Sequence, residues 1–155
     1  TQDASRTINR LVGVFPADEQ GLVRIRLAEA MKAIVSQRLL PRADGKGRCL
    51  AVEICVNTMS IAECIKDPKK TGEMKEYIEK GFDQYGMQSF DQSLMQWYKN
   101  GNISYEAALF YSTNPNEFAL KVSGIDGTSD RTFAEEVMED GAGRGDERGI
   151  EGITP

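Results

Sequence analysis

From Cys49 to Val56 the chain alternates with a period of two. Leu50, Val52, Ile54 and Val56 fall on one side, and Ala51, Glu53 and Cys55 on the other. Only an extended strand sends successive side chains to opposite faces, so this run fixes a strand, and its apolar set marks a firmly buried face. Leu39-Leu40 reads as a partner strand. Asp44-Gly45, within Arg42 to Arg48, is a strong hairpin signal, because glycine takes the positive φ that a tight turn requires.

Helical patterns surround this hairpin. Ile8, Leu11, Val12 and Phe15 recur at i, i+3, i+4 and i+7 behind Asp3 as a cap, and Pro16 stops that helix or starts the next. Leu22, Val23, Leu27, Met31, Ile34 and Val35 mark a second, longer helix, with Asp18 and Glu19 at the positive end of its dipole. After Asn57 the chain is read as five helices. The first is capped by Ser60 with Glu63, or by the rival Thr58, and ends at Pro68. The others run from about Gly72 to Tyr85, Phe90 to Lys99 with Gly101 behind it, Ser104 to Thr113, and from the Asn114-Pro115 cap to about Ser123. Residues 125–155 are rich in Gly, Asp and Glu, a composition that cannot offset ordering entropy by burial; Thr132 with Glu135, Phe133, Val137 and Met138 allows one short helix there.

A net charge of −5 over 155 residues gives no general attraction to nucleic acid or anionic membrane, and no apolar run approaches the length of a spanning helix. The chain has no His, and Cys49, Cys55 and Cys64 lack C-x-x-C spacing. A zinc site would need all three thiols plus a carboxylate; buried free thiols in a reducing cytoplasm are the simpler reading, with no metal. A phosphate loop needs glycines, then a Lys and a hydroxyl. No such string occurs, and the nearest match, Asp44-Gly45-Lys46-Gly47, is read as the hairpin turn. No catalytic residue is assigned.

Several residues carry chemistry in principle. Arg24, Arg26 and Arg38 are cations of the kind a ring ATPase sets beside a neighbour's phosphates. Alternatively, Arg24 and Arg26 lie on a solvated helix face or pair with Asp18, Glu19 or Glu29. Glu53, in mid-strand, is either exposed or satisfied by an arginine such as Arg48. Met87, Trp97 and Tyr98 form either a peptide groove or, more simply, core.

Five pieces occur in a definite order: Phe15-Pro16-Ala17-Asp18-Glu19-Gln20; Ser36-Gln37-Arg38-Leu39; Gly47 to Ile54; Gly86-Met87-Gln88-Ser89-Phe90-Asp91; and Gly101-Asn102-Ile103-Ser104. Together they resemble the C-terminal part of the PilT/PilU family of type IV pilus retraction ATPases, from about Thr1 to Gly124. The resemblance implies an α/β fold: the C-terminal part of a RecA-like P-loop ATPase core over 1–57, then a helical bundle over 58–124, with 125–155 as a tail. It implies that the chain starts just after the family's nucleotide machinery and is inactive alone, and that the parent is a homo-hexamer using ATP and Mg²⁺. The parent would sit on the cytoplasmic side of the inner membrane, against the pilus platform protein, without inserting. The family motifs retain arginine at Arg24 and Arg38, as nucleotide-contacting or subunit-interface residues. Ser60, Ile61, Ala62, Glu63, Cys64, Ile65, Lys66 and Asp67 occupy the place of the retraction motif, typically Ala-Ile-Arg-Asn-Leu-Ile-Arg-Glu. Ala62 and Glu63 replace Arg and Asn there, which leaves room for a PilU-like accessory role. The alternatives are a type II secretion or pilus-extension ATPase, against which the missing zinc cysteines count, and a non-catalytic helical adaptor.

Overall fold

The computed structural model describes residues 3–124. Two helices precede a β-hairpin: α1 (Ala4–Val12) and α2 (Gln20–Ala30), then β1 (Ala33–Pro41) and β2 (Arg48–Val56). Behind it come α3 (Met59–Lys66), a 3₁₀ turn (Thr71–Glu73), α4 (Met74–Lys80), α5 (Phe82–Tyr85), α6 (Phe90–Lys99), α7 (Tyr105–Tyr111) and α8 (Pro115–Val122). The expected α/β architecture is present as a two-stranded antiparallel sheet among helices. The expectations for residues 125–155, including a helix near Thr132, lie outside the described residues.

Local chemistry sets most boundaries. Gly45, at φ 68°, makes the hairpin turn, and Asp44 Oδ1 accepts from the Lys46 N–H at 2.9 Å. Ser89 and Gln92 form a reciprocal capping box at α6, and Asn114 caps α8 with Pro115 in its first turn. Thr58, not Ser60, caps α3. The second helix is shorter than expected, ending at Ala30, and Ile34 and Val35 belong to β1. The Asn57 side chain explains this: its amide donates to the carbonyls of Ala28 and Met31, both at 2.8 Å, closing α2 just where Ala33 begins to pair with Val56. The helix expected from Gly72 to Tyr85 opens as a 3₁₀ turn and breaks at Gly81, where a Cβ would stand 2.5 Å from Met87 Cε.

Two apolar clusters share the hairpin. The first joins Ile8 and Val12 of α1 with Cys55, Ile61, Ile65, Met74, Ile78 and Met87; the second joins Leu40, Cys49 and Ala51 with Phe90, Leu94, Ile103 and Phe118. Both draw on residues from either side of residue 57. Met87 is therefore core, as the simpler reading held. Two faces differ from expectation. The buried stripe of α1 is Ala4, Ile8 and Val12, so Leu11 is exposed; Phe15 lies beyond the helix end and is exposed too. On β2 the buried face is Cys49, Ala51, Glu53 and Cys55, while Leu50 is exposed. These smaller side chains let α6 lie close. Ser93 Oγ accepts from the Val52 N–H at 3.2 Å, and the Trp97 indole donates to the Leu50 carbonyl at 2.9 Å.

Candidate functional site

Helix α3 carries the segment singled out in sequence. Ile61, Cys64 and Ile65 are buried, Ala62 and Asp67 are half-buried, and Ser60, Glu63 and Lys66 face outward. Spacings of three and four residues put the first set on one side and the second on the other. Glu63 and Lys66 pair at 3.0 Å, both well exposed. The outer face is thus open and mostly polar, with Met59 also exposed on it, while the inner face is locked into the first core cluster.

Arg24 sits behind that helix. It is 8% exposed, far from the solvated position its amphipathic surroundings suggest. Its Nη1 donates to the Ile65 carbonyl at 3.0 Å and to Thr71 Oγ1 at 3.1 Å, and its Nη2 donates to Asn9 Oδ1 at 3.0 Å. Thr71 Oγ1 also lies 3.0 Å from the Cys64 carbonyl, to which it donates. One guanidinium fork therefore ties α1, the end of α3 and the 3₁₀ turn to α2. These partners replace the pairing with Asp18, Glu19 or Glu29 that the sequence allowed. Arg26 is exposed.

Arg38 occupies a different place, half-buried on β1. Its guanidinium lies 3.8 Å over the Phe90 ring, and Nη1 donates to the Tyr111 carbonyl at 2.6 Å. Burial lowers its pKa from the ordinary value, while the charges of Glu53 and Asp91 act the other way. Arg38 also lines a cleft of about 490 Å³ with Asp3, Arg6, Tyr111 and Thr113. Arg24 and Arg38 therefore stand in different surroundings, one beneath α3 and the other over Phe90 beside the cleft.

Sequence reasoning missed a cluster of half-buried charge built around the buried Asp91. Lys75 lies 3.5 Å from Glu79, 3.4 Å from Asp91 and 3.3 Å from Glu117, and Lys121 lies 3.5 Å from Glu117. Burial opposes the charge on Lys75, but the three carboxylates outweigh it and hold its pKa above the ordinary value. Burial raises Glu79. Asp91, 5% exposed, accepts from the Thr113 N–H at 2.7 Å. The Lys75–Glu79 and Glu117–Lys121 pairs have i,i+4 spacing, but their meeting with each other and with Asp91 joins α4, α6 and α8 and is not signalled locally. Glu53 is buried too, and its observed partner is the Ala4 N–H at 2.7 Å rather than Arg48, which is exposed at the strand end. The three thiols divide between the cores, Cys55 and Cys64 in the first and Cys49 in the second.

No family model matches the chain. It is 38% identical over 120 residues to the type IV pilus ATPase PilU of Pseudomonas aeruginosa, covering 77% of this chain and 31% of that protein. It is 38% identical over 108 residues to a twitching motility protein of Neisseria gonorrhoeae, covering 70% and 28%. With the type IV pilus retraction ATPase PilT of Pseudomonas aeruginosa it shares 36% over 118 residues, covering 76% and 33%. The chain spans about a third of the length of the curated relatives it matches. Among solved structures, the pilus retraction motor PilT with bound ADP superposes with a TM-score of 0.63 at 36% identity, covering 74% of this chain and 31% of that one. The Legionella pneumophila ATPase DotB superposes with a TM-score of 0.56 at 19% identity, covering 80% and 30%, a likeness of fold alone. By sequence and fold the chain belongs to the PilT/PilU family of twitching-motility ATPases, matching a C-terminal portion of it.

Proposed function

We propose that this chain is the output portion of a type IV pilus retraction motor. In this reading the parent is a hexamer on the cytoplasmic side of the inner membrane that hydrolyses ATP with Mg²⁺. The 3–124 unit passes nucleotide-dependent movement to the platform protein beneath the pilus. Arg38, on an open cleft, is the better placed of the two arginines to meet a neighbouring subunit or its nucleotide. Arg24 serves by holding α3. Because no phosphate-loop string occurs in the sequence, the chain alone is expected to hydrolyse no ATP above background.

The observation that carries the reading is the construction of α3. Its inner side is fixed by Ile61, Cys64 and Ile65, and its last turn is held by Arg24, while Ser60, Glu63 and Lys66 are presented outward. Exposed pairs such as Glu63–Lys66 add little stability. Replacing both with Ala in the full-length protein should leave folding and ATP hydrolysis intact and abolish pilus retraction. Wild-type twitching in cells carrying that variant would remove α3 as the output surface.

A PilU-like accessory role is favoured by one feature, Ala62 and Glu63 in place of the family's Arg and Asn. In that case restoring Arg and Asn at these two positions would let the full-length protein retract pili in cells lacking PilT. Failure of the restored variant would leave the accessory role without its sequence basis.

A further inference from the structure

Glu53 has no part in the output reading, and its carboxyl is only half used. It is 5% exposed on the buried face of β2, and its Oε1 accepts from the N–H of Ala4 at 2.7 Å. Among the described residues its Oε2 takes no hydrogen bond and no ion pair. Buried polar groups are ordinarily paired, and this carboxyl borders a cavity of about 190 Å³ that also reaches Asp3, Arg6, Lys75 and Ser89. The cavity and the cleft lined by Arg38 share Asp3, Arg6 and Thr113, so the two adjoin at the first turn of α1. We infer that together they form a binding site for a nucleoside phosphate whose base carries an exocyclic amine, with the base innermost and the phosphate outermost.

The order of the groups points to this class. Innermost, a carboxylate oxygen accepts and cannot donate, so it selects an N–H or O–H and rejects a carbonyl. Lys75 does not supply that donor, because its ammonium is engaged by Glu79, Asp91 and Glu117. A cationic donor would meet Lys75 and Arg6 in the same cavity, so the donor it suits is uncharged. The amine of a planar base meets both requirements, and Ala4 and Ile78 give the ring apolar wall. At the shared neck Asp3 caps α1 through Oδ1 and keeps Oδ2, 3.4 Å from Arg6 Nε, for hydroxyls such as those of ribose. Outermost come Arg6, with its side chain 63% exposed, and Arg38, guanidinium forks that match a phosphate. The cleft alone, at about 490 Å³, is within the range of small-molecule sites. The site goes beyond the output reading and needs neither the hexamer nor the outer face of α3, since every group in it belongs to one chain.

The test is an ¹H–¹⁵N NMR titration of the whole chain with AMP, IMP, CMP, UMP, adenosine and inorganic phosphate. It is run at pH 8, above the value of about 7 to which burial pushes Glu53, so that Oε2 is ionised. The expected result is a shift of the Ala4, Ser89 and Thr113 amides, with the amine-bearing member of at least one pair, AMP over IMP or CMP over UMP, bound about tenfold tighter or more. Each rejected member sets a carbonyl where its partner has the amine. Arg6→Ala should weaken the preferred nucleotide about threefold or more and leave adenosine unchanged. Glu53→Gln can turn either end of its amide to the base and should erase the preference; if that variant does not fold, the wild-type pairs still decide. Equal affinity within both pairs would overturn the inference, as would shifts from inorganic phosphate alone that match those from the nucleotides. So would no response to any of these probes, a result that leaves the output reading standing.

Discussion

Arg24→Ala tests how the interior is held together. The substitution removes a fork that serves two interior acceptors, the Ile65 carbonyl and Thr71 Oγ1, and one more accessible acceptor on Asn9. Hydrogen bonds from a charged donor contribute about 1.5 kcal/mol or more each, and an interior acceptor left unpaired carries its desolvation cost. Discounting the Asn9 bond for its exposure, the loss is about 3 kcal/mol. With a urea slope of about 2 kcal/mol/M for a domain of this size, the unfolding midpoint should fall by about 1.5 M. Arg26→Ala, two residues on and exposed on the other side of α2, is the control and should cost under about 0.5 kcal/mol. Arg24→Lys should recover only part of the loss, since an ammonium cannot reproduce the planar fork. Equal midpoints for the Arg24 and Arg26 variants would refute the tying role. The result also governs enzymology of the parent: lost activity in full-length Arg24→Ala speaks for a phosphate contact only if the unfolding midpoint is unchanged.

Ile65 is fully buried, so Ile65→Asp should cost about 4 kcal/mol or more and leave the chain unfolded by circular dichroism; a cooperative native melt would contradict the assignment of α3's inner face. Gly81→Ala would press a Cβ against Met87 Cε and to 3.0 Å from the Tyr77 carbonyl, and should cost about 1–3 kcal/mol in urea unfolding, whereas an unchanged midpoint would mean that the α4–α5 junction opens freely. Metal analysis after dialysis should return well under one zinc per chain, because the three thiols lie in two separate cores and burial pushes Cys55 up to about 12, away from the thiolate a metal needs; one zinc per chain would overturn this.

How far the fold was legible depended on how local its causes are. The turn at Asp44-Gly45, the cap of α1 at Asp3 and the cap of α8 at Asn114 depend on side chains reaching backbone two or three residues away, and each was readable from spacing. The end of α2 was not, because the amide that closes it comes from Asn57, 26 residues beyond Met31. Arg24 was misplaced for the same reason: its partners Ile65 and Thr71 are 41 and 47 residues away, and a helical pattern can only mark it as polar. α3 was legible as a helix with Ile61 and Ile65 inward, since four-residue spacing settles its faces without reference to any distant residue.

The hairpin shows the limit most clearly. Alternation correctly divides β2 into two sets, but hydrophobicity ranks Leu50, Val52, Ile54 and Val56 above Cys49, Ala51, Glu53 and Cys55, and the fold buries the second set more deeply. Hydrophobicity measures what a face would gain by leaving water. Close approach of a helix also depends on how little a face protrudes, and α6 brings Phe90 and Leu94 onto the flatter one. The consequence reaches the chemistry: a face chosen for its small residues carries Glu53 inward with it. Only a carboxyl placed there meets the Ala4 N–H, and it does so among Asp3, Asp91 and Arg38. The charge that most needs explanation in this chain thus follows from packing of the strand that bears it, and no motif around residue 53 could have announced it.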